Sequence, residues 1–142
     1  MNILSAGLLL FWGVYFGMAG TGNFLDVMKY EWHKGKMFRF SSNNFELLRK
    51  VASRYNVAEN RLTFLFVVIL CWELLSSVLY LAAFFYFLAG NTVFAQYSFF
   101  SGASFFAGLT LGNEAFIYYE NEEEHVVMLL AQLISYVAFY VV

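Results

Sequence analysis

The sequence predicts an all-α protein, a four-helix transmembrane bundle with an amphipathic interfacial helix between helices 1 and 2. Three observations carry that prediction. Apolar residues make up 61% of the 142 residues and charged ones only 13%, too few charges to cover a water-soluble domain. Four apolar runs, Ile3–Phe24, Leu62–Ala89, Phe94–Tyr119 and Val126–Val142, punctuate the chain. All eight Lys and Arg residues lie between the first two of them.

Each run is long enough to cross a bilayer, because a helix rises ~1.5 Å per residue and the hydrocarbon core is ~30 Å thick. Helices are preferred over strands: backbone groups in lipid must be satisfied within the segment, and no run alternates with the period of two that a membrane barrel needs. The first run also has the small residues Ala19 and Gly20 of a signal-cleavage pattern. No Lys or Arg precedes it, however, and it is long for a signal core, so it reads as a retained helix. Nothing repeats and no low-complexity linker occurs, which makes residues 1–142 one integral membrane domain.

Between the first two runs, "NNFELLRKVASRY" sets Phe45, Leu48, Ala52 and Tyr55 on one helical face and Glu46, Arg49, Lys50 and Ser53 on the other. This pattern predicts an interfacial helix over about 43–55. Asn43 with Glu46, and Asn56 with Glu59, have capping-box spacing, marking the starts of this helix and of the second crossing.

The positive-inside tendency places loop 25–61 on the cytoplasmic or matrix side of a bacterial inner membrane or organellar inner membrane. Loop 120–125 then shares that side, with both termini opposite. Its "ENEEEH" brings Glu120, Glu122, Glu123 and Glu124 beside the basic connection, against which it can dock or stand independently solvated. Lys34, Lys36, Arg39, Arg49, Lys50 and Arg54 are the candidate contacts to anionic headgroups or to a partner subunit.

In the second run "CWELLSSVLY" places Glu73 near the membrane midplane, where a charged carboxylate costs at least ~2.5–3.5 kcal/mol. It must take up a proton or find donors and cations inside the bundle, and in both cases it should point inward. Ser76, Ser77 and Tyr80 follow on the same face. Further polar stripes run through Tyr15, Asn23 and Asp26; Ser104, Thr110 and Glu114; and His125, Gln132 and Ser135. Asp26, Glu73, Glu114 and Gln132 are therefore the candidate buried polar or ion-binding residues. Glu73 and Gln132 are expected at similar depth, with Asp26, Glu114 and His125 nearer the inner face. Three readings stay open: a hydrogen-bonded core, a proton or cation path, and a metal site using the Glu122–His125 Glu-x-x-His spacing. The second such pair that a di-iron site needs is missing.

The Gly13–Gly17 step and the Ser104–Gly108–Gly112 ladder favour close helix packing. Phe84, Phe85, Tyr86, Phe87, Phe94, Tyr97, Phe99 and Phe100 crowd the opposite boundary as an aromatic belt, or as the wall of a quinone, carotenoid or lipid pocket. Absence of proline argues against broken transporter helices. Cys71 has no partner for an internal disulfide and reads as apolar filler. No catalytic signature occurs, no nucleic-acid partner follows from a net charge of −2, and no cofactor is predicted beyond bound lipid.

"GNFLDV", "CWELL" and "GLTLGNEAFIYY" together resemble a bacterial family of small four-helix integral membrane proteins of unassigned function. The resemblance covers most of the chain and implies that Asn23, Asp26, Trp72, Glu73, Gly108, Gly112 and Glu114 are family positions. It departs at Asn113-Glu114-Ala115-Phe116, where the family has a Gly-Glu-Trp stretch, and in its more acidic next connection. The functional expectation is an accessory or structural subunit of a larger membrane complex. The alternative is a small, oligomeric proton- or cation-coupled carrier or channel using Glu73 and Glu114.

Overall fold

The computed structural model describes residues 2–32, 42–115 and 122–141, apart from the side chains of 29–32 and 122. The order is α1 Ile3–Trp32, α2 Asn44–Ser53, α3 Glu59–Leu88, α4 Val93–Ala115 and α5 Glu122–Val141, with no strand among the described residues. Three stretches, Ile3–Met28, Glu59–Leu88 and Glu123–Val141, are long and apolar enough to cross a membrane. α4 has the length, at 23 residues, but Gln96, Ser98, Ser101, Gly102 and Ser104 dilute its apolar character.

The helices overrun the apolar segments. α1 continues through Asp26 to Trp32 because nothing after Phe24 breaks a helix: hydropathy marks where lipid ends, whereas helicity ends only where backbone bonding fails. At ~1.5 Å per residue, the 30 residues of α1 and of α3 are each ~45 Å long, about 15 Å more than a hydrocarbon core.

Two corners end by the same device. Gly90 takes φ +84°, which lets Asn91 N–H reach Tyr86 C=O (2.9 Å) and Gly90 N–H reach Phe87 C=O (3.0 Å). This is a Schellman closure. Asn91 Oδ1 then accepts from Val93 N–H at 2.9 Å, capping α4. At the end of α2, Asn56 has φ 51°, and Val57 N–H bonds to Ala52 C=O at 3.4 Å. Asn56 thus closes α2; the residue before α3 is Ala58, which makes no side-chain cap. The expected Asn56–Glu59 capping box gives way to a helix stop, since asparagine tolerates the left-handed backbone.

α1 and α3 pack antiparallel at very close range. A Cβ on Gly13 would sit 2.9 Å from Leu81, one on Gly17 3.0 Å from Ser77 Oγ, and one on Gly20 2.8 Å from Leu74. Three glycines on one face therefore let the two backbones approach, and Ser77 Oγ donates to Gly13 C=O at 2.8 Å. Gly20, which has the look of a cleavage-site residue in the sequence, is part of this seam. α4 lies along α3, α5 lies along α4 and touches α1, and α2 packs across the ends of α1 and α3.

The core is aromatic: Trp12, Phe16, Tyr80, Phe99, Phe105, Phe106 and Phe139 are buried together with Leu9 and Ala83. Phe16 stacks on Tyr80 with centroids 5.9 Å apart and meets Phe105 edge-on at 5.6 Å. Such pairs each contribute ~0.5–1.5 kcal/mol beyond the area they bury.

α3 has an inverted surface. Its buried positions include Glu73, Ser76, Ser77 and Tyr80, while Phe64, Leu65, Val67, Val68, Leu74, Leu75 and Val78 are exposed. A water-soluble helix buries the apolar set and exposes the polar one.

Candidate functional site

The polar residues of the interior form two clusters and a corner. The first gathers at the α2 end of α1 and α3. Glu73, 5% exposed, accepts from Asn23 Nδ2 through Oε2 at 2.7 Å. The Oδ1 of the same amide accepts from Ser42 Oγ at 2.7 Å and from Asn44 Nδ2 at 2.9 Å. Asn23 therefore joins the acid of α3 to the leading residues of α2.

Asp26, one turn further along α1, completes this cluster. Its Oδ2 accepts from Phe45 N–H at 2.7 Å, and Ser42 Oγ accepts from Asn44 N–H at 3.2 Å. These are among the amides that the first turn of a helix leaves unsatisfied. The expected Asn43–Glu46 capping box does not form: Asn43 takes φ 59° and makes no side-chain cap. A carboxylate from another helix caps α2 instead, where it also complements the positive end of the helix dipole. α2 then buries Phe45, Val51 and Ala52, with the Phe45 ring 5.0 Å from that of Phe66. Tyr55, placed by its spacing on the apolar face, lies past the end of α2 and is exposed.

The second cluster is a seam between helices that begins one turn beyond Glu73 on α3. Ser76 and Ser101 hydroxyls are 2.8 Å apart across α3 and α4. Tyr80 OH donates to Gln132 Oε1 at 2.5 Å, joining α3 to α5. Trp12 Nε1 donates to Ser135 Oγ at 3.1 Å, joining α1 to α5. Gln132 is fully buried because Gly102 makes room for it: a Cβ there would stand 2.8 Å from Oε1 and 2.9 Å from Cδ. Its Nε2 has no hydrogen-bond partner among the described residues.

Gln132 meets Tyr80 and stands beside Gly102, next to the Ser101 whose hydroxyl faces Ser76, one turn from Glu73. One sequence expectation changes. Glu114 is exposed rather than inward-facing. It sits one residue from the end of α4, on a stripe where a Cβ on Gly108 or Gly112 would meet nothing within 4 Å among the described residues, and Thr110 Oγ1 turns back to its own helix at Phe106 C=O.

At the α4–α5 corner, Asn113 Nδ2 and His125 Nδ1 are 2.8 Å apart. Glu122 opens α5, and no group of three or more His, Cys, Asp or Glu able to hold a metal occurs among the described residues. Of the candidate headgroup contacts, Lys34, Lys36 and Arg39 lie outside the described residues, as does much of the anticipated docking between the basic and acidic connections. Arg49 is ion-paired to Glu59 at 2.9 Å, and Lys50 and Arg54 are exposed. Of the positions drawn from the family resemblance, Asn23, Asp26 and Glu73 come together, whereas Trp72, Gly108, Gly112 and Glu114 do not join them. Sequence reading missed Ser42, Asn44 and Gly102; the polar tetrad "SSNN" ahead of the interfacial helix was the one available signal.

No family model, curated protein or solved structure matches the chain.

Proposed function

We propose that the chain is an accessory or structural subunit of a larger membrane protein complex. In this reading α1, α3, α4 and α5 cross the bilayer as a bundle and α2 lies at the cytoplasmic or matrix surface. The observation that carries it is the inverted surface joined to a closed interior. Glu73, Tyr80, Ser76, Ser77 and Trp12 bond to groups on neighbouring helices, and the wide outer faces of α3 and α5 are apolar. Such a molecule offers lateral contact surface and little else. The likeness to the small bacterial membrane family belongs to the same proposal.

Gentle detergent extraction followed by native mass spectrometry tests it. Larger co-purifying membrane subunits are expected, and a lone chain at every detergent strength would refute the reading.

One observation favours a second reading, a proton- or cation-coupled carrier: Glu73, Ser76, Ser77 and Tyr80 form a continuous buried polar file that reaches Gln132. It would rest on Glu73 alone, since Glu114 is exposed. Proteoliposomes should then show pH-driven flux that Glu73→Gln abolishes, and no flux from the unaltered protein removes the carrier.

A further inference from the structure

Outside both polar clusters, a cleft of about 390 Å³ opens between α2 and the start of α3. That volume lies at the small end of the roughly 300–1,000 Å³ typical of small-molecule sites. Its wall carries Glu46, Arg49 and Lys50 from α2 and Glu59 from α3, over a floor that includes Val57 and Leu62. Two carboxylates and two cations make it neutral overall.

The pairing within it is uneven. Arg49 and Glu59 bridge the two helices at 2.9 Å. Glu46 and Lys50 have the four-residue spacing and the Glu-before-Lys order that favour an intrahelical pair, yet among the described residues they form none. The cleft therefore presents one carboxylate and one ammonium without an ionic partner among the described residues, about 5–6 Å apart at their Cβ atoms by helix geometry.

We propose that this cleft binds the headgroup of a phospholipid that carries both a phosphate and a primary ammonium, as phosphatidylethanolamine does. Lys50, with Arg49 beside it, receives the phosphate, and Glu46 accepts from the ammonium. Lipid is the source, because one turn beyond Leu62 on the same side of α3 stands the exposed Leu65, a surface for acyl chains and not for a free headgroup. The inference rests on the proposed placement of α2 at the membrane surface but is independent of any partner subunit.

The test uses the full chain in nanodiscs containing equal parts of phosphatidylethanolamine, phosphatidylcholine and phosphatidylglycerol, with retained lipids identified by native mass spectrometry. Retention of the ethanolamine lipid is expected at about fivefold over the other two, the scale of one solvent-facing charge-assisted contact. Glu46→Gln should erase that preference, and Lys50→Gln should lower retention of all three classes. Arg61→Gln, which removes a positive charge outside the cleft lining, should leave the pattern unchanged. Far-UV circular dichroism verifies that each variant is folded. Equal retention by the unaltered chain, or a preference that survives Glu46→Gln, overturns the proposal. Displacement of bound lipid by soluble phosphoethanolamine overturns its assignment to a lipid. Failure of the chain to enter nanodiscs would instead overturn the membrane placement itself.

Discussion

Replacing Gly102 by alanine should destabilise the bundle through one contact. The new methyl would lie 2.8 Å from Gln132 Oε1, 2.9 Å from Cδ and 3.0 Å from Nε2, all below ordinary van der Waals separation. Gln132 cannot swing aside without giving up its bond from Tyr80, and its surroundings are fully buried. Overpacking of this kind costs about 1–3 kcal/mol. Gln132→Ala should cost about 2 kcal/mol by itself, from a lost interhelical bond and a partly filled void. Together the two changes should cost well under their sum, because the methyl added by Gly102→Ala enters the volume that the amide vacates. A favourable coupling of at least ~1 kcal/mol is expected, against the ~0.5 kcal/mol within which independent sites add. Reversible unfolding of the four proteins in bicelles, followed by tryptophan fluorescence, measures the cycle. Additive costs would refute the account of Gly102 as the space that lets a glutamine into the core.

Other tests address different parts of the molecule. Glu73→Gln preserves an acceptor for Asn23 and should leave bundle stability within about 1 kcal/mol of the unaltered protein, whereas Glu73→Leu strands the Asn23 amide N–H and should cost more; equal effects in the same unfolding assay would remove the Asn23 bond as the reason for burying an acid. Asp26→Ala deprives Phe45 N–H of its acceptor and should destabilise α2 by about 1 kcal/mol, read as about fivefold faster amide exchange at Phe45; unchanged exchange there would mean that Asp26 does not cap α2. Cys71 is exposed on the apolar face of α3. In nanodiscs it should resist a hydrophilic maleimide that labels it fully in denaturing detergent, and rapid labelling in the bilayer would contradict the spanning of α3.

Much of the helix content was legible because a membrane chain must bond its backbone locally, so long apolar runs can be little else. Glu73 was legible for a similar reason: an acid with Ser76, Ser77 and Tyr80 at helical spacing defines a buried face. Glu114 was not, although Thr110 precedes it at the same spacing. A stripe of polar and small residues identifies a face of a helix but not what that face meets, and on α4 it meets little. The role of Asp26 was hidden too, because capping rules search within a few residues, whereas this cap crosses from one helix to another. Gly102 could be recognised only after Gln132 was placed opposite it.

The bond between Asn23 and Glu73 also bears on biogenesis. The hydrophobic hairpin of α1 and α3 holds an acid that is costly to insert alone, and its amide partner is synthesised fifty residues earlier. In the proposed membrane placement α1 enters the bilayer before α3, so the carboxyl group can pass directly from the aqueous exit path to a waiting donor. Reordering the chain so that α1 came last would remove that escort while leaving every contact of the finished bundle available.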